Sequence, residues 1–368
     1  MKPTTNRALV VSLLAVSSVL GASALCRASD RSPAALEMVT QLHPLEWAEA
    51  AVLTANGLVY SGDIRGEDGK DFRVTVYDSA QRKIIADLKI PHRAHYLATQ
   101  ADGSIAVTGK TNGTWRQHVT TIRRVGNTFK TSTVTIANEQ LFEQIASVNG
   151  SLYASEPGKG TLLKVQNGRV SVVASGMSNP GAITVVNGQL ALVEIASGAA
   201  GDENVTLIDP ASGAKKSLWP AGKGKGRGMS AITAIPGTNL VAVNEWAANS
   251  VKIVDLATMT TVRDIPTESM PEGITSVGHC VAVASTESYT VGVYDMKTDD
   301  DAPVTTIDYS TQQDLLKSVR TMVSDPSAAG MTFYLRSTLP WSGGEWKTQS
   351  SVFRMDVTDQ ATLDRCLN

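Results

Sequence analysis

Two stretches of the sequence that begin 40 residues apart repeat the same pattern without a gap. The first runs Val-Ala-Val-Asn-Glu-Trp-Ala-Ala-Asn-Ser-Val-Lys-Ile-Val-Asp over residues 241–255, and the second runs Val-Ala-Val-Ala-Ser-Thr-Glu-Ser-Tyr-Thr-Val-Gly-Val-Tyr-Asp over residues 281–295. Each copy reads as a short β-branched strand, a polar turn and an alternating strand that ends in Asp. A period of about 40 residues built from short strands is typical of a β-propeller blade.

The same pair of strands recurs along the whole chain. Its first members lie at residues 57–63, 103–109, 150–156, 188–194, 239–245, 280–285 and 331–336, and its second members at 74–78, 121–125, 161–165, 205–209, 251–255, 291–295 and 352–356. One strand precedes each pair and another usually follows it. Because a single blade cannot bury both faces of its sheet, we predict an all-β fold, a seven-bladed β-propeller of four-stranded antiparallel blades.

The last blade is predicted to carry insertions, because its strands are more widely spaced than those of the other blades. We predict a short helix from Thr311 to Met322, with Thr311 as its N-cap, and a loop from Thr338 to Ser350. Closure of the ring requires the segment near Ala35–Leu42 to pair beside the last blade, which removes an open sheet edge. Nothing within residues 33–368 resembles a linker, so we interpret this range as one domain.

The first residues have the character of an export signal. Lys2 and Arg7 precede an apolar run, and the small residues at positions 22 and 24 match the pattern that signal peptidase cleaves. We therefore predict a signal peptide over residues 1–24, or alternatively 1–28, and a secreted or periplasmic mature protein without a membrane span. The net charge of −2 gives no indication of a nucleic-acid partner.

The chain has 3 cysteines, and an exported protein can form disulfides. Cys26 and Cys366 lie near the two ends, which closure of the ring brings together. A bridge between them is one interpretation, provided that cleavage follows Ala24. The other interpretation is three unpaired thiols, with Cys280 packed as a small buried side chain in a strand.

The stretch 243–255, together with Met270-Pro-Glu-Gly-Ile274, resembles the YVTN-type β-propeller repeat. That family favours Tyr-Val-Thr-Asn, then Asn-Thr-Val-x-Val-Ile-Asp, then Pro-x-Gly-Ile. The match is clear in the fifth and sixth blades and faint in the others. Members of the family include exported surface proteins, propeller subunits of redox complexes and binding proteins, so the resemblance implies the fold much more than an activity.

A weaker resemblance is to the gluconolactonase-like propellers. It lies in Asn179-Pro-Gly-Ala-Ile183 and in Glu46-Trp47. Those enzymes hold a divalent metal with Glu, Asn and Asp side chains that reach into the central channel. This chain lacks the Glu-Gly-Pro sequence of that family.

Acidic residues recur at the end of the second strand of several blades. They are Asp63, Glu156, Glu194 and Glu245, and blades two, six and seven have Gly109, Ser285 and Arg336 at that place. Since side chains alternate with period 2, equivalent offsets from equivalent turns point the same way. We therefore expect a ring of carboxylates at one mouth of the channel, suited to Ca²⁺ or Mg²⁺. The alternative is that each acid is a solvated residue with its own local hydrogen bonds.

Two histidines, His92 and His95, flank the start of the second blade. Either could serve as an acid–base catalyst beside a carboxylate of the ring, since histidine titrates near neutral pH. The alternative is a structural role in the connection between blades.

A ligand-binding surface is predicted from aromatic and basic residues of the loops. Its members are Trp246, Arg336, Trp341 and Trp346. Tryptophans that pack between blades are equally common, so this alternative stays open. The basic stretch from Lys223 to Gly228 either contacts an anionic ligand or is a solvated connection.

Three functions are compatible with these patterns. The first is an exported propeller that binds a small ligand or a protein partner at the loop-rich mouth of its channel. The second is a metal-dependent hydrolase, lactonase or isomerase that uses the carboxylate ring. The third is a propeller subunit of a periplasmic redox complex, which requires a cofactor-bearing partner.

Overall fold

Short runs of β-branched and aromatic residues, separated by turns rich in Gly and Asn, build the strands of the computed structural model. It describes residues 34–42, 52–65, 71–111, 116–139, 142–195, 203–223, 225–312, 319–328, 330–338 and 350–368. Several hairpins turn through an Asn-Gly pair in which both residues are left-handed, as at Asn56 (φ 53°) and Gly57 (φ 74°). Such type I′ turns match the twist of the strands that they join.

The strands form seven antiparallel sheets of four strands each, which confirms the predicted seven-bladed β-propeller. Blades one to three contain β2 (Val52–Ala55), β3 (Leu58–Arg65), β4 (Asp71–Asp78), β5 (Lys83–Lys89), β6 (Tyr96–Thr99), β7 (Ile105–Lys110), β8 (Arg116–Val125), β9 (Thr128–Glu139), β10 (Ile145–Val148), β11 (Ser151–Glu156), β12 (Thr161–Gln166) and β13 (Arg169–Ala174). Blades four to six contain β14 (Pro180–Val186), β15 (Gln189–Glu194), β16 (Asn204–Ile208), β17 (Lys215–Leu218), β18 (Ile232–Ala234), β19 (Leu240–Glu245), β20 (Ser250–Asp255), β21 (Thr260–Pro266), β22 (Pro271–Val277), β23 (Cys280–Ser285), β24 (Thr290–Asp295) and β25 (Thr305–Asp308). The first strands of neighbouring blades contact one another, so they surround the central channel.

Blade seven joins the two ends of the described chain. It contains β26 (Val319–Ser324), β27 (Thr332–Thr338), β28 (Ser350–Val357) and, as its outermost strand, β1 (Ala34–Leu42). Ala34 lies opposite Val357 in the antiparallel β1–β28 pair. The predicted closure by the segment near Ala35–Leu42 is therefore confirmed. Closure pairs a sheet edge that would otherwise be open to other chains.

The core lies between the blades, because each sheet is apolar on both faces. In β19, Val241 and Val243 pack against blade four, whereas Ala242 packs against Val281 of blade six. Alternate residues of a strand thus face alternate neighbours. This arrangement explains why the second strands read as nearly continuous apolar runs.

The helix predicted from Thr311 to Met322 is wrong in the residues that the structure describes. Ser310–Gln312 form a single 3-10 turn, and β26 begins at Val319. Val319 and Met322 are buried in the core between blades six and seven, where the ring requires an innermost strand. A second 3-10 turn, Pro157–Lys159, follows β11.

The one α-helix among the described residues, α1 (Gln360–Leu367), follows the last strand. Its N-cap is Asp359, whose side chain accepts a hydrogen bond of 2.8 Å from Thr362 N. The described part of the chain has no helix of the length and apolarity that a membrane crossing needs.

Cys366 of α1 forms a disulfide with Cys280 at the start of β23. Both interpretations of the cysteines are therefore corrected: Cys366 does not pair with Cys26, and Cys280 is not a free thiol. The terminal helix folds back onto blade six, which puts Cys366 beside that blade. Cys26 and the predicted signal peptide lie outside the described residues.

Candidate functional site

The four predicted acids occupy equivalent places in the strand register. Glu156, Glu194 and Glu245 are the last residues of β11, β15 and β19. Asp63 has the same offset from the start of β3, which continues for two more residues. Equivalent strand ends lie on one face of a propeller, and we call the face at which the second strands β3, β7, β11, β15, β19, β23 and β27 end the upper face. The first strands separate these acids from the channel.

All four carboxylates are buried rather than solvated. Their residues expose between 1% and 5% of their surface: Asp63 2%, Glu156 2%, Glu194 5% and Glu245 1%. A buried carboxylate requires hydrogen bonds or an opposite charge. Glu156, Glu194 and Glu245 find these within their own blade or in the adjoining connection, whereas Asp63 interacts with the charge of Arg336 in blade seven.

Two of the acids are held by hydroxyl, amide and ammonium groups. Glu156 Oε2 accepts a hydrogen bond of 2.6 Å from the Thr161 hydroxyl, and Lys159 Nζ lies 3.1 Å from Glu156 Oε1. Glu194 Oε2 accepts one of 2.6 Å from Ser178 N, and its Oε1 accepts one from the Thr206 hydroxyl. Glu156 is therefore part of a local turn, whereas Glu194 joins the connection before β14 to β16.

Glu245 is less completely satisfied. Lys252 Nζ lies 3.4 Å from its Oε2, whereas its buried Oε1 has no hydrogen-bond partner among the described residues. Burial raises the pKa of Glu245, and the Lys252 charge opposes that rise. A partly unsatisfied buried carboxyl with a raised pKa is a candidate functional group.

The acids do not form a compact metal cluster. Among the described residues, the only group of three or more His, Cys, Asp and Glu ligand atoms within 4.8 Å of one another is that of His279, Cys280 and Asp295. A Ca²⁺ ion needs six to eight oxygen ligands at about 2.3–2.6 Å. A Ca²⁺ or Mg²⁺ site at the four acids therefore stays a prediction that would require additional ligands.

Arg336 does not occupy the acid position of blade seven. It lies opposite Val352 in β28, and Asn244 lies opposite Val251 in β20. Both valines are four residues before the Asp near the end of their strand. Arg336 is thus the counterpart of Asn244, and the acid position of blade seven is Ser337.

The one-residue difference in register turns Arg336 toward blade one and away from solvent. The residue has no exposed surface, so its side chain is not available to a ligand at the upper face. Burial lowers the pKa of Arg336 to about 10, and the charge of Asp63 in blade one opposes this effect. The predicted ligand-binding residue is therefore part of the junction that closes the ring.

The sequence analysis missed the position that joins the blades. Asn244 precedes the acid of β19, is fully buried, and donates from Nδ2 to Pro271 O of blade six at 2.8 Å. Its Oδ1 accepts a hydrogen bond of 2.6 Å from Ala231 N. Ser155, one residue before the acid of β11, donates to Gly181 O of blade four at 2.8 Å. A polar residue within an apolar run was the available signal.

His92 is a structural residue in this conformation. Its Nδ1 donates a hydrogen bond of 2.7 Å to Arg93 O, and its Nε2 makes one of 2.7 Å with the Thr120 hydroxyl. Since a carbonyl oxygen can only accept, Nδ1 carries a proton, and Nε2 is the acceptor whenever the ring is neutral. The residue has no exposed surface, and burial lowers its pKa to about 4. Its ring stacks on His118 at a centroid distance of 5.4 Å.

His95 is the more available of the two predicted catalytic histidines. It is half-buried, and no described residue hydrogen-bonds to its buried Nε2. Burial lowers its pKa to about 4, and the charges of Lys110 and Arg93 act in the same direction. A catalytic role for His92 or His95 stays a prediction, and it would have to use a neutral imidazole.

Among the described residues, Trp246 is an accessible aromatic residue of the upper face, with 40% of its surface exposed. Its backbone N donates to Gly228 O at 3.1 Å, and Gly228 N donates to both Glu203 carboxylate oxygens at 2.9 Å. A Cβ at residue 228 would lie 2.2 Å from Trp246 Nε1, so the indole ring rests directly on this glycine. Arg227 beside it is exposed. Trp341 and Trp346 lie outside the described residues.

Comparisons with known proteins support the fold alone. The sequence matches no protein-family model and no curated protein sequence. The structure is similar to the WD40 repeats of RRP9, at 11% identity and TM-score 0.64, over 89% of this chain and 99% of that chain. It is similar to hydrazine synthase of Kuenenia stuttgartiensis, at 13% identity and TM-score 0.57, over 79% and 92% of the two chains.

A third similar structure is the Cps50 (Swd1) β-propeller domain of Myceliophteria thermophila, at 11% identity and TM-score 0.61. It covers 88% of this chain and 100% of that chain. At these identities a common fold does not imply a common function. The chain is a seven-bladed β-propeller, and its binding chemistry has to be argued from its own residues.

Proposed function

We propose that this protein is an exported β-propeller that binds an anionic ligand at the upper face, with Trp246 as the central contact. The ligand is either a small molecule or an acidic segment of a protein partner. The observation that carries the proposal is a large aromatic side chain that is exposed and yet held in place. Such residues are enriched at the centre of binding interfaces, where they supply contact area at a small cost in conformational entropy.

The charge of the surrounding loop favours an anion. Lys223, Lys225 and Arg227 are exposed in the connection that ends at Gly228, whereas Glu203, the acid that anchors this loop, is 5% exposed. A ligand at Trp246 therefore lies beside a loop that carries three positive charges and a carboxylate that is already engaged. The backbone of Arg227 is held beside Trp246, because Ala247 N, the residue after Trp246, donates a hydrogen bond of 3.2 Å to Arg227 O.

Export is supported by two features of the chain. The N-terminal pattern of charge, apolar run and small residues is that of a signal peptide. The Cys280–Cys366 disulfide is of the kind that persists in oxidising compartments. The resemblance to YVTN-type repeats, which occur in exported propellers, points in the same direction.

Binding of peptide and oligosaccharide panels to the immobilised, oxidised protein tests this proposal. We expect the bound members to carry carboxylate, sulfate or phosphate groups, and Trp246→Ala to weaken their binding about 30-fold. Val262→Ala is the matched control, because Val262 is 54% exposed on the outermost strand of the same blade. Binding without preference for anions, or binding that Trp246→Ala leaves unchanged, would contradict the proposal.

A second candidate function is a metal-dependent hydrolase or isomerase, and the state of Glu245 favours it. A partly unsatisfied buried carboxyl with a raised pKa is a typical general acid or base. Elemental analysis, together with hydrolysis assays on lactones and esters with added Ca²⁺ or Mg²⁺, tests this candidate. Turnover that Glu245→Gln abolishes would favour it over binding alone.

A further inference from the structure

Side chains at the corner between blade six and α1 direct ligand atoms at one another. His279 Nε2, Cys280 Sγ and a carboxylate oxygen of Asp295 all lie within 4.8 Å of one another. Cys366 Sγ adjoins this group through its bond to Cys280 Sγ. Imidazole, thiolate and carboxylate are the ligands of protein zinc sites. In the oxidised protein the sulfur atoms are held in the disulfide and are poor ligands.

The fold holds these residues together by contacts other than the disulfide. Cys280 and Asp295 are directly opposite each other in the β23–β24 pair. His279 N donates a hydrogen bond of 3.2 Å to Cys366 O of α1. Gly278 (φ 54°) allows this approach, since a Cβ there would lie 2.1 Å from Cys366 O. The corner therefore has connections that reduction of the disulfide does not remove.

We propose that reduction of this disulfide converts the corner into a binding site for Zn²⁺ or a similar thiolate-preferring divalent ion. Four side chains supply the ligands: His279, Cys280, Asp295 and Cys366. A tetrahedral zinc ion, at about 2.3 Å from sulfur and about 2.1 Å from nitrogen, holds such ligand atoms roughly 3.6–3.8 Å apart. The ligand atoms of His279, Cys280 and Asp295 therefore need to close by about 1 Å around the ion, and the two sulfur atoms, once reduced, need to separate to about 3.8 Å.

Asp295 is oriented as a metal ligand requires. Its Oδ2 accepts a hydrogen bond of 2.8 Å from Arg365 Nε, and its Oδ1 accepts one of 2.8 Å from Lys297 N. Oδ1 also lies 3.4 Å from His279 Nε2. Contacts of this kind fix the direction of a ligand and strengthen metal binding. Against the effect of burial, the Arg365 guanidinium lowers the pKa of Asp295 and so favours the ionised carboxylate. Oδ1 already accepts a hydrogen bond from Lys297 N, and it would coordinate the ion through its second lone pair.

The chemistry of the conversion balances. An external dithiol or phosphine supplies two electrons, and two protons from water complete the reduction of the S–S bond to two thiols. Binding of the ion then releases both thiol protons, because thiolate is the coordinating form. Two sulfur ligands select a soft or borderline ion over Ca²⁺ and Mg²⁺, which distinguishes this site from the predicted carboxylate ring.

This site is separate from the proposed binding surface. Cys280 begins β23 and therefore lies at the end of the blade away from the upper face. The bound ion would clamp α1 to blade six in the reduced protein, as the disulfide does in the oxidised protein. The terminal helix would then stay attached to the ring in either redox state.

Cobalt(II) titration of the full chain carrying Cys26→Ser tests the proposal, because that substitution leaves no other thiol in the sequence. After reduction with a phosphine, we expect thiolate-to-cobalt charge-transfer absorption that saturates at one ion per chain, with displacement by Zn²⁺. The oxidised protein should show no such band. His279→Gln and Asp295→Asn should each weaken binding at least about tenfold, whereas the control His118→Gln in blade two should not.

Two results would overturn the proposal. One is a reduced chain that stays folded and shows no thiolate–cobalt band. The other is equal affinity in the His279→Gln variant and in its parent. If reduction unfolds the chain, Zn²⁺ should restore the far-ultraviolet circular dichroism of the oxidised protein, since an ion that binds only the folded state stabilises it. Failure of Zn²⁺ to restore that spectrum would also overturn the proposal.

Discussion

The charge of the Asp63 carboxylate counteracts the lowering of the Arg336 pKa by burial, across the junction at which the ring closes. Asp63 lies on β3 of blade one, and Arg336 lies on β27 of blade seven. Burial alone would lower the pKa of Arg336 further than the value of about 10, and the Asp63 charge acts against it. A buried cation depends on such a partner, because a guanidinium does not lose its proton easily.

Asp63→Asn should lower the free energy of unfolding by about 3–5 kcal/mol, because it removes a negative charge that offsets the burial of the Arg336 guanidinium. Chemical denaturation with the folded state monitored by fluorescence measures this change. Asp87→Asn is the control: its salt bridge with Arg73 is at the surface and should contribute less than about 1 kcal/mol. Equal effects of the two substitutions would show that the ring does not depend on this charge pair.

Asn244→Ala should lower the free energy of unfolding by roughly 2–4 kcal/mol. The substitution removes the hydrogen-bond partner of Pro271 O in blade six and that of Ala231 N. Thr258→Ala serves as the control, because it removes a hydroxyl that hydrogen-bonds Asp255 at the surface. A loss below about 1 kcal/mol for Asn244→Ala would mean that water replaces the missing amide.

His92 should make the fold sensitive to acid. Its pKa of about 4 in the folded protein lies below the ordinary value of 6.5, so the unfolded chain binds more protons between these two values. The contribution to stability is complete above pH 6.5 and is lost as the pH falls toward 4, by roughly 3 kcal/mol. His95, with a pKa of about 4, acts in the same direction.

Denaturation curves between pH 7 and pH 4 measure this dependence. We expect a smaller loss of stability on acidification in His92→Gln than in the unchanged protein, whatever the stability of the variant at pH 7. His95→Gln should reduce the loss as well. Parallel curves for all three proteins would contradict the assignment of the acid sensitivity to these histidines.

Gly228→Ala should displace the Trp246 indole and weaken binding at the upper face. The added Cβ would lie 2.2 Å from Nε1 of the indole, on backbone with a φ of 77°. Gly237→Ala is a matched control, because Gly237 has a φ of 72° and nothing within 4 Å of its Cβ position. Both substitutions carry the backbone cost of roughly 1 kcal/mol. Only Gly228→Ala should shift the indole N–H resonance of Trp246 in nuclear magnetic resonance spectra and reduce binding. A similar loss of binding in both variants would refute the role of the contact between Gly228 and Trp246.

The repeat of apolar strands and polar turns was sufficient to predict the propeller from the sequence. Val241 and Val251 recur at Val281 and Val291, and both pairs lie in second and third strands. Blade number followed from counting these pairs, because each blade buries the faces of its neighbours and the pattern must repeat. The closing strand near Ala35–Leu42 could be predicted for the same reason: an unpaired edge is unfavourable.

Only the tertiary structure decided the strand register of blade seven, and which charged residues are buried and what they contact. A strand that is apolar on both faces has no polar–apolar alternation to mark its register, so Arg336 was misaligned by one residue and assigned to the wrong face. Burial of Glu245 depends on the neighbouring blade, and the partner of Cys366 depends on how α1 folds back. These contacts join residues distant in sequence, and local patterns do not specify them. The repeating strand pattern determined the ring, whereas packing between blades determined which polar groups are buried within it and which are exposed.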